Sequence, residues 1–212
     1  MERFRMQTVK GLTQFVSHWY PSWRHDKVKE LYERFGVDEN QQLALLSKGT
    51  KRKLSFIHAI AFDPKILLMD EPTSGLDPFA WRIMMDEVIA YMGSGDRTVL
   101  MATHIVDEVK RLADYVAFIH EGKLLGCYEK DVLLDEWKSL WIEPHIHDFT
   151  PLTGVVAIER QGNGTSLKLT SRYSQQTEQE LQRLGVQILH TQAVELDEIL
   201  GYLTKEKIGK VG

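Results

Sequence analysis

Apolar residues recur at helical spacing near the start of the chain: Val9, Leu12, Phe15, Val16 and Trp19 fall on one face, and Pro21 interrupts them. Val28, Leu31, Tyr32 and Phe35 resume the pattern until Gly36. Between residues 43 and 127 helical stretches near Pro78–Met92 and Ile105–Leu112 alternate with short runs rich in Ile, Val and Leu at Ile66–Met69, Thr98–Ala102 and Tyr115–Ile119. That alternation predicts an α/β fold, with a parallel sheet covered on both faces. Beyond Asp131 the texture changes. Val155–Arg160 and Thr165–Ser171 flank Gly162-Asn163-Gly164, a hairpin signal, and are followed by a helix near Glu178–Leu184, a strand near Val186–Leu189 and a last helix from Leu196. This predicts a small C-terminal α+β appendage.

Composition narrows the classes. A chain of 212 residues can bury a sizeable core, as one domain or one domain with an appendage. A formal charge of −4 and a pI near 6.1 argue against coating nucleic acid or an anionic bilayer by electrostatics alone. The single cysteine, Cys127, allows no intramolecular disulfide, and no signal-like segment opens the chain, so a reducing, cytoplasmic compartment is expected. Cys127 itself reads as a small strand residue. No apolar run approaches the roughly 20 residues that cross a bilayer, so contact with a membrane is expected to go through a partner.

The stretch LLMDEPTSGLD, residues 67–77, carries the clearest chemistry. A strand here delivers Asp70 and Glu71 to its carboxyl edge, where open α/β sheets place ligands. Two adjacent acids repel each other unless a cation or a donor compensates. A hydrated Mg²⁺ carried by a phosphate ligand would satisfy the first, and the second could act as a general base. The plainer alternative is that both acids charge and cap the turn that follows. Upstream, LSKGTKRKLS (residues 46–55) puts Ser47, Lys48 and Gly49 before a helix and Lys51, Arg52 and Lys53 in its first turn. Cations are disfavoured at a helix N-terminus, and an anion bound there reverses the sign. An ordinary serine-capped helix with a solvated basic face is the alternative. Downstream, TVLMATH ends a strand in Thr103 and His104, which either touches a phosphate or is a satisfied polar residue.

In this order the three segments resemble the C-terminal portion of an ABC transporter ATPase subunit, most similar to bacterial exporters of the ABC-2 kind. The resemblance covers roughly residues 6–127. It implies a partial P-loop NTPase domain over residues 1–127, with a helical signature subdomain at about 6–62 and a Walker B to switch-histidine core at about 63–127; residues 128–212 would be an accessory subdomain. The signature motif would be Leu46-Ser47-Lys48-Gly49-Thr50, with Thr50 where glutamine is usual, and the D-loop Ser74-Gly75-Leu76-Asp77. The implied cofactors are ATP and Mg²⁺. Asp70 would hold Mg²⁺ through water, Glu71 would polarise the attacking water and His104 would contact the γ-phosphate. Ser47, Lys48, Gly49 and Thr50 would serve the ATP of the opposite subunit, and Asp77 would couple the two sites. The implied partners are a multi-span membrane permease and a second ABC ATPase, identical or not, with no nucleic acid; the place is the inner face of a bacterial membrane. A DNA-associated ABC ATPase shares these motifs but carries coiled-coil insertions, and no sustained heptad run occurs here.

No Gly-x-x-x-x-Gly-Lys-Ser/Thr occurs in the sequence, and neither Gln7 nor Gln14 is read as a glutamine loop. The expectation is an N-terminally truncated or split ATPase whose Walker A half is encoded elsewhere, inactive alone. The alternative is a non-catalytic module that lends its signature helix to an intact partner. Trp19, Tyr20 and Trp23 either form a permease-docking surface or pack the helical subdomain. His145, His147 and Asp148 read as a solvated loop rather than a metal pair.

Overall fold

The computed structural model describes residues 7–93, 95–143, 152–161 and 166–208, in two compact units, Met1–Leu112 and Ala113–Gly212. In the first, Thr8 caps helix α1 (Val9–Ser17) by accepting from the Gly11 amide. Helix α2 (His25–Phe35) ends at Gly36, whose left-handed φ of 64° lets its amide close the last turn on Glu33 and Tyr32. A short 3-10 turn (Leu43–Leu45) leads to helix α3 (Lys48–Ala61), capped by Ser47. Strand β1 (Ile66–Asp70), helix α4 (Pro78–Met92), strand β2 (Thr98–Ala102) and helix α5 (Val106–Leu112) complete the unit. Helix α4 starts from Asp77 as N-cap with Pro78 at its first position, where a missing amide costs nothing.

The core of this unit is the seam between helices. Val9, Leu31, Ile57, Met84, Met85 and Val88 are fully buried and belong to one apolar cluster that also takes in Trp23 and Leu67. Each side chain of this size contributes about 1.5–3 kcal/mol when buried. A buried carboxylate joins α2 to α4: Glu87 is paired with Lys27 at 2.7 Å and with Arg34. A polar trio also sits inside, with Thr13 Oγ1 2.9 Å from His58 Nε2 and bonded to the Tyr32 hydroxyl.

β1 and β2 pair in parallel from Ile66↔Thr98 to Asp70↔Ala102. The sheet is covered on one face. Leu67 is buried and Met69, Val99 and Met101 pack on the core, whereas Ile66, Leu68 and Leu100 are 63%, 69% and 66% exposed. The expected parallel sheet is therefore present, but its cover is on one side among the described residues.

In the second unit Tyr115–His120 (β3) does not extend that parallel sheet. It pairs antiparallel with β4 (Lys123–Glu129), because Glu121 and Gly122 both take positive φ, 47° and 72°, and make the tight turn that suits a hairpin. Helix α6 (Lys130–Glu136), β5 (Lys138–Ile142), β6 (Val155–Gln161), β7 (Ser166–Ser171), helix α7 (Ser174–Arg183), β8 (Ile188–Ala193) and helix α8 (Leu196–Ile208) follow. The last four strands form an antiparallel sheet in the order β6-β7-β5-β8. Leu140, Ile142, Leu167, Leu169 and Leu181 form its core. The α+β character expected of the tail is observed; β4, α6 and β5 were not expected. The Gly162-Asn163-Gly164 turn and His145, His147 and Asp148 lie outside the described residues. Cys127 sits exposed on β4.

Candidate functional site

β1 carries its chain to the sheet edge and releases it into a turn. There Glu71 takes a φ of 44°, the left-handed region that costs a side-chain-bearing residue about 1–3 kcal/mol unless its surroundings hold it. Two hydrogen bonds do so: the Glu71 amide donates to Ala102 O at 2.9 Å, prolonging the β1–β2 pairing, and the Ser74 amide donates to Glu71 O at 3.2 Å. The conformation brings the Glu71 carboxylate to the end of β2, where Oε1 lies 2.8 Å from His104 Nδ1. The hydrogen bond and charge of Glu71 raise the His104 pKa above its ordinary value, with a smaller contribution from Glu108. The second oxygen, Glu71 Oε2, is buried with no hydrogen-bond partner among the described residues.

Asp70, one residue earlier, is exposed, and its carbonyl accepts from Arg52 Nη1 at 3.0 Å. The exposed Asp70 carboxylate and the unpartnered Glu71 Oε2 are both hard oxygen donors, the chemistry that hydrated Mg²⁺ takes. The residues present fit that ion.

At the start of α3, Ser47 Oγ accepts from the Thr50 amide at 3.0 Å and lies 2.8 Å from Thr50 Oγ1. Thr50 in place of the longer glutamine thus closes a local cap. Gly49 faces the turn after Glu71: a Cβ there would stand 2.9 Å from Gly75 O, so only glycine permits the approach. Asp77 accepts from the Phe79 and Ala80 amides at 3.0 Å each and pairs with Lys53 at 3.5 Å. The Ala80 amide, with Lys53 and the Phe79 amide, holds the Asp77 carboxyl below its ordinary range.

The structure thus joins Glu71 to His104, Gly49 to Gly75 and Lys53 to Asp77. No described hydrogen bond or ion pair joins Ser47 or Thr50 to Glu71 or His104. Of the four cations between residues 48 and 53, Arg52 and Lys53 bond within the chain, while Lys48 and Lys51 are exposed. Trp23 belongs to the core, whereas Trp19 is 67% and Tyr20 40% exposed. Sequence reasoning missed Glu108, a fully buried acid that accepts from Thr73 and Trp81. Its signal was an acid four residues after His104, on the inward face of a short helix.

A parallel strand ending in paired carboxylates, a histidine at the neighbouring strand end and a glycine-opened helix against the intervening turn are consistent with part of an α/β P-loop NTPase fold. Comparison with known proteins gives its relatives. The chain is 34% identical over 123 residues to the ABC transporter ATP-binding protein NatA of Bacillus subtilis, covering 56% of this chain and 50% of that protein. It is 38% identical over 105 residues to the Nod factor export ATP-binding protein I of Bradyrhizobium diazoefficiens, covering 50% of this chain and 34% of that one. The figure is again 38% over 105 residues for ATP-binding cassette sub-family A member 17 of Rattus norvegicus, covering 49% of this chain and 6% of that one. A family profile described as "AAA domain, putative AbiEii toxin, Type IV TA system" matches residues 19–109. A solved structure described as the ATP binding subunit of an ABC transporter shares the fold with a TM-score of 0.52 at 22% identity, over 59% of this chain and 54% of that one. These homologues are ABC transporter ATP-binding proteins, and the likeness to them extends over about half of this chain. The chain spans half or less of the length of these relatives. Among the described residues no helix is long and apolar enough to cross a membrane.

Proposed function

We propose that this chain supplies the signature, Walker B, D-loop and switch-histidine elements of an ABC transporter ATPase that hydrolyses ATP with Mg²⁺ and drives a multi-span membrane permease. The phosphate-gripping loop, which these 212 residues do not contain, comes from a further segment or a separate polypeptide. Without it the chain alone is inactive, because those amides and lysine carry much of the phosphate binding. Residues 1–127 are the ATPase portion, in this reading, and 128–212 an accessory subdomain. The protein lies against the inner face of the cell membrane through its permease.

One observation carries the reading: Glu71 is held in the left-handed region so that its carboxylate meets His104 at the sheet edge. There Glu71 would accept a proton from the water that attacks the terminal phosphate, and His104 fixes the carboxylate and would contact that phosphate. Asp70 would hold Mg²⁺ through water, and the ion when bound supplies charge neutralisation on the phosphates. Ser47, Lys48, Gly49 and Thr50 present small donors and one cation to the ATP of a second subunit, and Asp77 links the two sites.

The test is co-expression with a polypeptide bearing a P-loop half. ATP hydrolysis should appear, and Glu71→Gln should reduce it by about 10²- to 10⁴-fold, the usual contribution of a general base. Restored hydrolysis that ignores Glu71→Gln but is abolished by Ser47→Arg would replace this reading with a module that lends only its signature helix.

A further inference from the structure

The turn that leaves Glu71 is tied down by a residue the proposed chemistry does not use. Glu108, on α5, is fully buried. Its Oε1 accepts from the Thr73 hydroxyl and, at 3.3 Å, from Trp81 Nε1. Thr73 stands two residues after Glu71 and Trp81 four residues after Asp77, so one oxygen brackets the whole Ser74-Gly75-Leu76-Asp77 segment. The other oxygen, Oε2, is buried and has no hydrogen-bond partner among the described residues.

A buried carboxylate is expensive, and an apolar side chain of similar size would pack this position at lower cost. What a leucine could not do is accept two hydrogen bonds that come from either side of the D-loop. Glu108 also shares its segment with His104, four residues earlier, and His104 is bonded to Glu71. The four contact points therefore close a ring: Glu71, Thr73, Glu108 and His104 are joined by backbone and side-chain bonds in turn. The D-loop inside it touches the signature helix through Gly75 against Gly49.

We propose that Glu108 is a positioning residue that holds the D-loop and the Glu71–His104 pair as one body, so that a shift at the signature helix reaches the proposed general base. Its consequence for catalysis rests on the ATPase reading above; its geometry does not.

Native-state amide hydrogen exchange on the whole chain tests the bracket directly. The Leu76 amide, bonded to Thr73 O at 2.9 Å, is the reporter, and the Ile57 amide within α3 is the control. In Glu108→Ala and in Thr73→Val, Leu76 exchange should rise by about 10- to 100-fold relative to Ile57, the factor for losing a hydrogen bond to a charged group, while Glu108→Gln, which keeps the acceptor, stays within about threefold of the parent. Should Glu108→Ala fail to fold, Thr73→Val decides alone. An equal rise at Leu76 and Ile57, no rise at either, or a Glu108→Gln variant that behaves like Glu108→Ala overturns the proposal. In the assembled ATPase Glu108→Ala should lower kcat and leave KM for ATP unchanged, with Glu108→Gln restoring kcat. If the exchange pattern holds while no assembled form hydrolyses ATP, the bracket stands and the ATPase reading falls.

Discussion

The parallel β1–β2 pair and the four-stranded antiparallel sheet meet water in different ways. In the second unit the four strands of the β6-β7-β5-β8 sheet place Leu140, Ile142, Leu167 and Leu169 on one face, under α7, and all four are buried. In the first unit the β1–β2 pair buries Leu67 but leaves Ile66, Leu68 and Leu100 in water. Antiparallel sheets tolerate one wet face when its side chains are polar, whereas parallel strands are apolar on both sides because both are normally covered. In the function proposed above, this apolar outer face is where a further layer packs. The same pair ends in Asp70 and Glu71, so the uncovered face and the proposed chemistry share one strand.

Substitutions on the two sheets should expose this asymmetry, and the largest effect belongs to the self-contained one. Leu140→Ala should cost about 2–5 kcal/mol, the range for a large buried side chain cut to Ala, whereas Leu68→Ala should change the stability of the isolated chain by less than about 0.5 kcal/mol. Urea unfolding of both variants reads the difference. If a P-loop-bearing half covers β1, Leu68→Ala should become destabilising in the complex, and an unchanged Leu68→Ala there would refute the continued layer.

A second effect lies inside the helical part of the first unit. Burial lowers the pKa of His58 from 6.5 to about 4, and Thr13 and Tyr32 surround the neutral ring. Since the unfolded chain takes up this proton at a higher pH than the folded one, stability from His58 is fully present above about 6.5 and is lost as pH falls toward 4. The loss is about 3 kcal/mol across that window. His58→Gln should flatten the profile between those limits, and a parent that is equally stable at pH 7 and 4.5 would contradict it.

How far the site could be read in advance follows the same division. Helix α4 and strand β2 fall where their periodicity put them, because Asp77-Pro78 and the TVLMA run are local signals. Glu71, His104, Gly49 and Asp77 were legible as a motif, yet the contact of Gly49 with Gly75 is a tertiary fact. Nothing in the spacing announced that Glu108 would reach back to Thr73 and Trp81. The pairing of β3 with β4 was missed because KLLGCYE, with a glycine inside and charged ends, has little of the strand pattern, and the turn at Glu121-Gly122 does the organising.

The smallest effect separates folding from chemistry at one residue. Ser47→Ala removes the cap of α3 and should cost about 1 kcal/mol, while Ser47→Asp keeps a good cap and the stability but sets a negative charge where the phosphate of a second subunit is proposed to dock. Thermal unfolding together with hydrolysis by the assembled enzyme should find Ser47→Asp folded and inactive. Full activity in Ser47→Asp would confine Ser47 to capping.

The most direct measurement is calorimetric titration of Mg-ATP into the chain alone and into the chain joined with a P-loop-bearing half. The proposed function predicts no saturable binding by the chain alone at about millimolar nucleotide, since its sequence has no P-loop motif, and saturable binding once one is supplied. Saturable binding by the chain alone, accompanied by hydrolysis that Glu71→Gln abolishes, would contradict it.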